Sequence, residues 1–442
     1  MFEKEPHMDV GIIDAARTIE GEFSGQFRIV GGSTVSGPFA VISDGGVLEL
    51  RDGAGKPLAR GSEIRCTVDS PDARVLLKDV TIGVHFHWER KEDQVFEGNV
   101  KFLARRAGEI VAVNEIPLEP YLLSVVSSEM SANAPLEFLK AHAITSRSWL
   151  AAMLVRKRDA TAPLPPAGTT DSEIIRWYTR EDHDLYDVCA DDHCQRYQGM
   201  TKVHNAAARS ALAATRGLFL VYGDEICDAR FYKACGGRTE AFENAWEERA
   251  VPYLRSVSDA STPHPAVEEE GSAARWIMSR PEAYCNTTDS ALLREILPDF
   301  DQETTDFFRW NLSYTQDELR QLIAKKSGIE FGMITALEPL QRGPSGRIYR
   351  LRIVGTKRTV VVGKELEIRR WLSPSHLYSS AFVVTMEPGP GGIPAKFVFH
   401  GAGWGHGVGL CQIGAAVMST RGFPAESIVT HYFPGSAVRK LY

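Results

Sequence analysis

Cysteine is scarce in this chain, with 7 in 442 residues. That odd, thinly spread set excludes a full disulfide framework and suits thiols or metal ligands better. An excess of positive charge is also missing. Lys and Arg total 50 against 57 Asp and Glu, a net charge of -7 and a pI near 6.0. With no basic stripe either, the balance excludes a nucleic-acid binder held by phosphate contacts. No apolar run approaches the ~20 residues that span a bilayer. The opening stretch, MFEKEPHMDVG, has neither a basic n-region nor an apolar h-region, so no signal peptide is visible. No internal repeat is found. What remains is the balance of a soluble globular chain, 43% hydrophobic and 24% charged. Such a chain buries a core without disulfides or metals, and its length gives two or three domains at roughly 150 residues each.

Residues 1–112 read as a β-rich domain, with turn signals at Gly31-Gly32, Asp44-Gly45-Gly46 and Asp52-Gly53. Val84, Phe86 and Trp88 alternate with His85, His87 and Glu89 as in a half-buried strand. His85 and His87 share one strand face, as solvated residues or as metal ligands. Asn99–Leu103 and Glu109–Val113 form a hairpin pattern around Arg106-Ala107-Gly108. Residues 113–442 then change character. Pro120 suits the start of a helix over Tyr121–Ser128, and Pro135 that of a longer one reaching Lys157. Residues 161–170 form a Pro-rich spacer. A helix over Val203–Thr215 stops before Gly217, and Leu218–Tyr222 with Ile226–Tyr232 reads as a hairpin. Residues 262–343 are more polar and suggest a helical insertion. Strands Ile348–Val354, Thr359–Val362, Ala381–Met386 and Lys396–His400 follow, then a glycine-rich loop and a helix. The fold class is therefore α+β, a β-rich domain before a mixed core.

Three constellations carry chemistry. From 401 to 409 every second residue is glycine, around Trp404 and His406. Extended, the segment has a face without side chains; coiled, its glycines supply positive φ. It lacks the Lys of a P-loop and any G-x-G-x-x-G. It is either a tight strand-to-helix turn with Trp404 packed inward or a sugar-binding floor, where an aromatic face meets a ring and an imidazole meets hydroxyls. Glu129 is a single carboxylate at a helix end, a cap or a solvated group unless its surroundings lift it. Ser127, Ser128 and Ser131 leave room beside it, and the next helix bears His142, Arg147 and Trp149. The third constellation is His183, Cys189, His193 and Cys194, the ligand types of tetrahedral Zn²⁺. Cys227, Cys235 and His204 are alternates, and a Cys189–Cys194 disulfide or a plain polar loop competes. Cys235 before Gly236-Gly237 also suggests a reactive or structural thiol.

Three blocks together resemble the stage II sporulation protein D / amidase-enhancer family. They are Glu119–Met130 with Pro135–Ser148, then Phe231–Glu240, then Gly403–Gly414, in the family's order. The resemblance implies a lytic transglycosylase that cleaves peptidoglycan glycan strands, or alternatively a non-catalytic peptidoglycan-binding module that stimulates a cell-wall amidase. It maps the catalytic glutamate onto Glu129 and a structural Zn²⁺ site onto His183, Cys189, His193 and Cys194. Arg147, Trp404, His406 and Gln412 become substrate-binding residues, and His142 replaces the family's usual Gln. An extracytoplasmic location is implied too. Ordinary glycosidases need two carboxylates. A transglycosylase manages with one, acid first and base second, which calls for a partly desolvated Glu129 in a groove walled by the glycine-rich loop. A zinc hydrolase is disfavoured, since four protein ligands leave no open position for water.

Overall fold

The computed structural model describes residues 3–84, 89–159, 168, 170–178, 183–203, 205–298, 301–302 and 304–442. His85, His87, His204 and most of the 161–170 spacer thus lie outside the described residues. The chain divides into two compact units, one of residues 1–133, 180–218 and 440–442, the other of 134–179 and 219–439. The division differs from a simple boundary at 112, because later segments return to the first unit.

The first unit is built on one eleven-stranded sheet. Thr18–Ile29 shows why it forms: Ile19, Phe23, Phe27 and Ile29 are buried while Glu20, Glu22 and Arg28 face out. That alternation suits an antiparallel sheet with one covered face. Phe23 stacks on Phe39 at 4.3 Å between ring centroids. The hairpin forms between Asn99–Arg105 and Glu109–Pro117, and His7–Ala16 pairs with the latter. Val188–Cys189 adds to the far side of His7–Ala16 in parallel. Helix Leu118–Glu129 follows the sheet directly and packs against helix Ala206–Thr215. Pro120 sits in its first turn, where a missing N–H costs nothing.

The second unit begins with helix Leu136–Asp159, buried around its middle, polar residues included. Thr145 and Ser148 donate their hydroxyls back to the Ala141 and Ile144 carbonyls, which satisfies them internally. Two antiparallel groups of strands enclose a core with Trp310, Leu351, Phe397 and Phe399. Arg309–Thr315, Pro394–Ala402 and Phe382–Pro388 form one. Ile334–Arg342, Ile348–Gly355 and Thr359–Gly363 form the other, with Glu173–Ile175 added in parallel. The region 262–343 is therefore not a separate helical insertion. Helices Glu270–Met278, Ser290–Ile296 and Gln316–Ser327 occur there, yet two of its segments are strands of these sheets. The hairpin after Leu218–Tyr222 is also shorter than expected. Only Glu225–Ile226 returns along it, and Phe231–Tyr232 instead pairs in parallel with Leu410–Cys411.

Candidate functional site

Glu129 ends helix Leu118–Glu129 in the first unit, and only 8% of it is exposed. Its Oε1 accepts the Arg196 backbone N–H at 2.9 Å. The segment carrying Arg196 is fastened along the same helix. Tyr121 donates its hydroxyl to Gln195 Oε1 at 3.2 Å, Gln198 N–H donates to Ser124 Oγ at 3.0 Å, and Tyr121 stacks on Tyr197. Arg196 in turn donates from Nε to Asp192 at 2.6 Å. Burial raises the Asp192 carboxyl above its ordinary range; Arg196 opposes that and the nearby Glu129 adds to it.

The same segment brings His183, Cys189, His193 and Cys194 together, their ligand atoms all within 4.8 Å of one another. Cys194 Sγ lies 3.4 Å from both His183 Nε2 and His193 Nδ1, and Cys189 Sγ lies 3.9 Å from His193 Nδ1. Hydrogen bonding from Cys194 foremost, then from His183 and His193, holds the Cys189 thiol far below its ordinary range despite burial. A tetrahedral ion at about 2.3 Å from sulfur and 2.0 Å from nitrogen needs ligand atoms separated by roughly 3.3–3.8 Å. The four residues fit such an ion. All seven cysteines are free, so no Cys189–Cys194 disulfide forms. The loop's position rests on the sheet edge, where Asp187 and Ala190 donate backbone N–H groups to Asp9 and Gly11. Gly11 is required there, since a Cβ would lie 2.5 Å from the Tyr186 ring.

The glycine-rich segment belongs to the second unit. Gly403, Gly405, Gly407 and Gly409 have φ of 77°, 103°, 85° and 87°, so the coiled form is the one adopted. Trp404 is half-buried and stacks on Tyr378 at 4.0 Å, with Phe307 at 4.9 Å. His406 is half-buried between Tyr232 and Trp246, and its Nδ1 accepts the Val408 N–H at 3.1 Å. Gln412 and Arg147 are buried at 2% and 0% exposure, so neither offers a surface to a polymer. Gln412 instead meets His142 Nε2 at 3.2 Å. Burial lowers His142 to about 3, with Lys233 adding to it, so the imidazole is neutral. The alternates Cys227 and Cys235 belong to this second unit as well. Cys235 joins Asp259, Cys285 and Cys411 in a buried group that residue spacing did not reveal.

The family described as "Stage II sporulation protein" matches residues 106–222, and one described as "Domain of unknown function (DUF8618)" matches 240–409. The chain is 27% identical over 324 residues to a stage II sporulation protein D from Bacillus amyloliquefaciens, covering 73% of this chain and 74% of that one. It is 24% identical over 329 residues to the protein of the same name from Bacillus subtilis (strain 168), covering 74% and 76%. It is also 23% identical over 330 residues to the amidase enhancer of Bacillus subtilis (strain 168), covering 72% of this chain and 40% of that protein.

Proposed function

Since the chain belongs to the stage II sporulation protein D / amidase-enhancer family, we propose that it acts on the bacterial cell wall as a lytic transglycosylase, with Glu129 as its one general acid and base. The observation that carries this reading is the setting of Glu129, a carboxyl largely withdrawn from water with one oxygen held by the Arg196 N–H. Glu129 gives its proton to the glycosidic oxygen as the C1–O bond breaks. The same sugar's 6-hydroxyl then adds to C1 and returns its proton to the Glu129 carboxylate. The product is a 1,6-anhydro end; no water is consumed and Glu129 is restored.

His183, Cys189, His193 and Cys194 would hold Zn²⁺ as a closed four-ligand brace, with no position left for water. Cys194 lies two residues from Arg196, so the brace fixes the backbone donor that orients Glu129. His406 and Trp404 supply an imidazole and an indole for sugar hydroxyls and ring faces. Buried Gln412 and Arg147 position neighbours instead of touching substrate.

Incubation with peptidoglycan stripped of stem peptides, read by mass spectrometry, tests this. Wild-type protein releases fragments with anhydro ends and Glu129→Gln does not. Intact strands under wild-type protein, together with binding to sacculi and stimulation of an added amidase, would move the assignment to the second reading. The similarity to an amidase enhancer favours that reading.

A further inference from the structure

Three cysteines with no part in the reaction above meet at one point in the second unit. Cys235 follows strand Phe231–Tyr232, Cys411 ends the strand Leu410–Cys411 paired with it, and Cys285 lies between helices Glu270–Met278 and Ser290–Ile296. Asp259 joins them. The three sulfurs and a carboxylate oxygen all lie within 4.8 Å of one another, and none of the four residues is more than 2% exposed. Cys235 and Cys285 are 3.3 Å apart at sulfur and unbonded.

A lone buried thiol is a small apolar group and needs no further account. Two features set this group apart. First, a carboxylate is costly to bury, yet Asp259 is fully buried and its two oxygens are aimed. Oδ2 accepts the Cys285 N–H at 2.8 Å and Oδ1 accepts the Tyr432 hydroxyl at 2.6 Å. Gly414 admits it, since a Cβ there would lie 2.4 Å from Oδ1. Second, backbone donors point at sulfur. Cys235 N–H reaches Cys411 Sγ at 3.2 Å and Gly237 N–H reaches Cys235 Sγ at 3.3 Å. Such donors stabilise thiolates, the form that ligates metal. Around zinc with bonds of about 2.3 Å, tetrahedral sulfurs stand roughly 3.8 Å apart; the 3.3 Å between Cys235 and Cys285 and the 4.8 Å limit for the whole group bracket that value.

We propose that Cys235, Asp259, Cys285 and Cys411 form a second, closed zinc site, separate from His183, Cys189, His193 and Cys194. Binding exchanges the thiol protons for one Zn²⁺, so occupancy falls as pH drops. The ion braces the glycine-rich segment. Ala234 and Trp404 exchange backbone hydrogen bonds at 3.0 and 2.7 Å, and a Cβ on Gly236 would lie 2.8 Å from Gly403 N. A metal on Cys235 therefore fixes the backbone against which Trp404 lies.

Elemental analysis of the full chain, purified with a reductant, tests the site. Wild-type protein is expected to carry two zinc ions, Cys285→Ser one, Cys194→Ser one, and the double variant none. One wild-type zinc that Cys285→Ser loses and Cys194→Ser keeps would uphold this site while removing the other. Asp259→Asn retains an acceptor for Tyr432 and serves if Cys285→Ser does not fold; it should release one zinc to a chelator at least tenfold faster than wild type. Wild-type protein with no zinc, or with only one that Cys194→Ser loses, overturns the proposal.

Discussion

Glu129 offers the cleanest separation of chemistry from structure. Gln keeps an oxygen for the Arg196 N–H at nearly the same size, so Glu129→Gln should leave thermal unfolding nearly unchanged. Loss of the proposed general acid should lower anhydro-product formation by about 10²-fold or more, measured by mass spectrometry. His142 allows a prediction about pH. Its folded value is depressed to about 3 against an ordinary 6.5, so the unfolded chain takes up a proton that the folded one refuses. The stability conferred by the neutral ring is present above pH 6.5 and is lost as pH falls toward 3, by about 1.4 kcal/mol per unit. His142→Gln, which retains a partner for Gln412, should flatten that dependence relative to wild type in denaturant titrations at several pH values. Both residues were legible as residues. Glu129 stood out by its serine neighbours and His142 by replacing a glutamine. The burial of Arg147 and Gln412 was not legible, because one turn of a helix does not reveal which side is covered.

At the scale of elements, the glycine-rich segment depends on its positive φ angles. Gly407→Ala combines a disfavoured φ of 85° with a Cβ placed 2.5 Å from the Arg347 guanidinium carbon. Arg347 is buried and donates to the Gly405 and Cys235 carbonyls at 3.1 Å, so it has no room to yield. The loss should be at least ~2 kcal/mol by denaturant unfolding. Gly422→Ala, with φ of 85° and open space around it, should cost about 1 kcal/mol. For the loop of His183–Cys194, Cys194→Ser should reduce glycan cleavage by roughly 10–100-fold if the proposed metal braces the backbone donor to Glu129, which sits two residues on. Local elements were readable. Pro135 and the leucine spacing marked the long helix, and two Cys and two His within 183–194 marked the loop. Non-local ones were not. Arg309–Thr315 finds its partner at Pro394–Ala402, and nothing in its own residues names that partner. The Cys235, Asp259, Cys285 and Cys411 group escaped for the same reason, since its members come from four distant segments.

For the molecule as a whole, the first unit is stitched from three separate stretches. Leu441 N–H donates to the Gly217 carbonyl at 2.9 Å, and the Tyr442 hydroxyl donates to Glu119 Oε1 at 2.7 Å. Glu119 also accepts the Gly217 N–H, so Tyr442→Phe removes one of these bonds and should cost about 1 kcal/mol in unfolding experiments. The β-rich opening followed from alternation and turn residues, and the α part of the α+β class from Pro120, Pro135 and the leucine spacing. The interleaving of the units did not, because it depends on pairings between distant segments. It has a consequence for the newborn chain. The sheet of residues 1–133 precedes its edge strand at 188–189 by about 55 residues and its fastening at 440–442 by about 300. The edge at His7–Ala16 is therefore open to whatever else can pair with it until residues 188–189 have emerged.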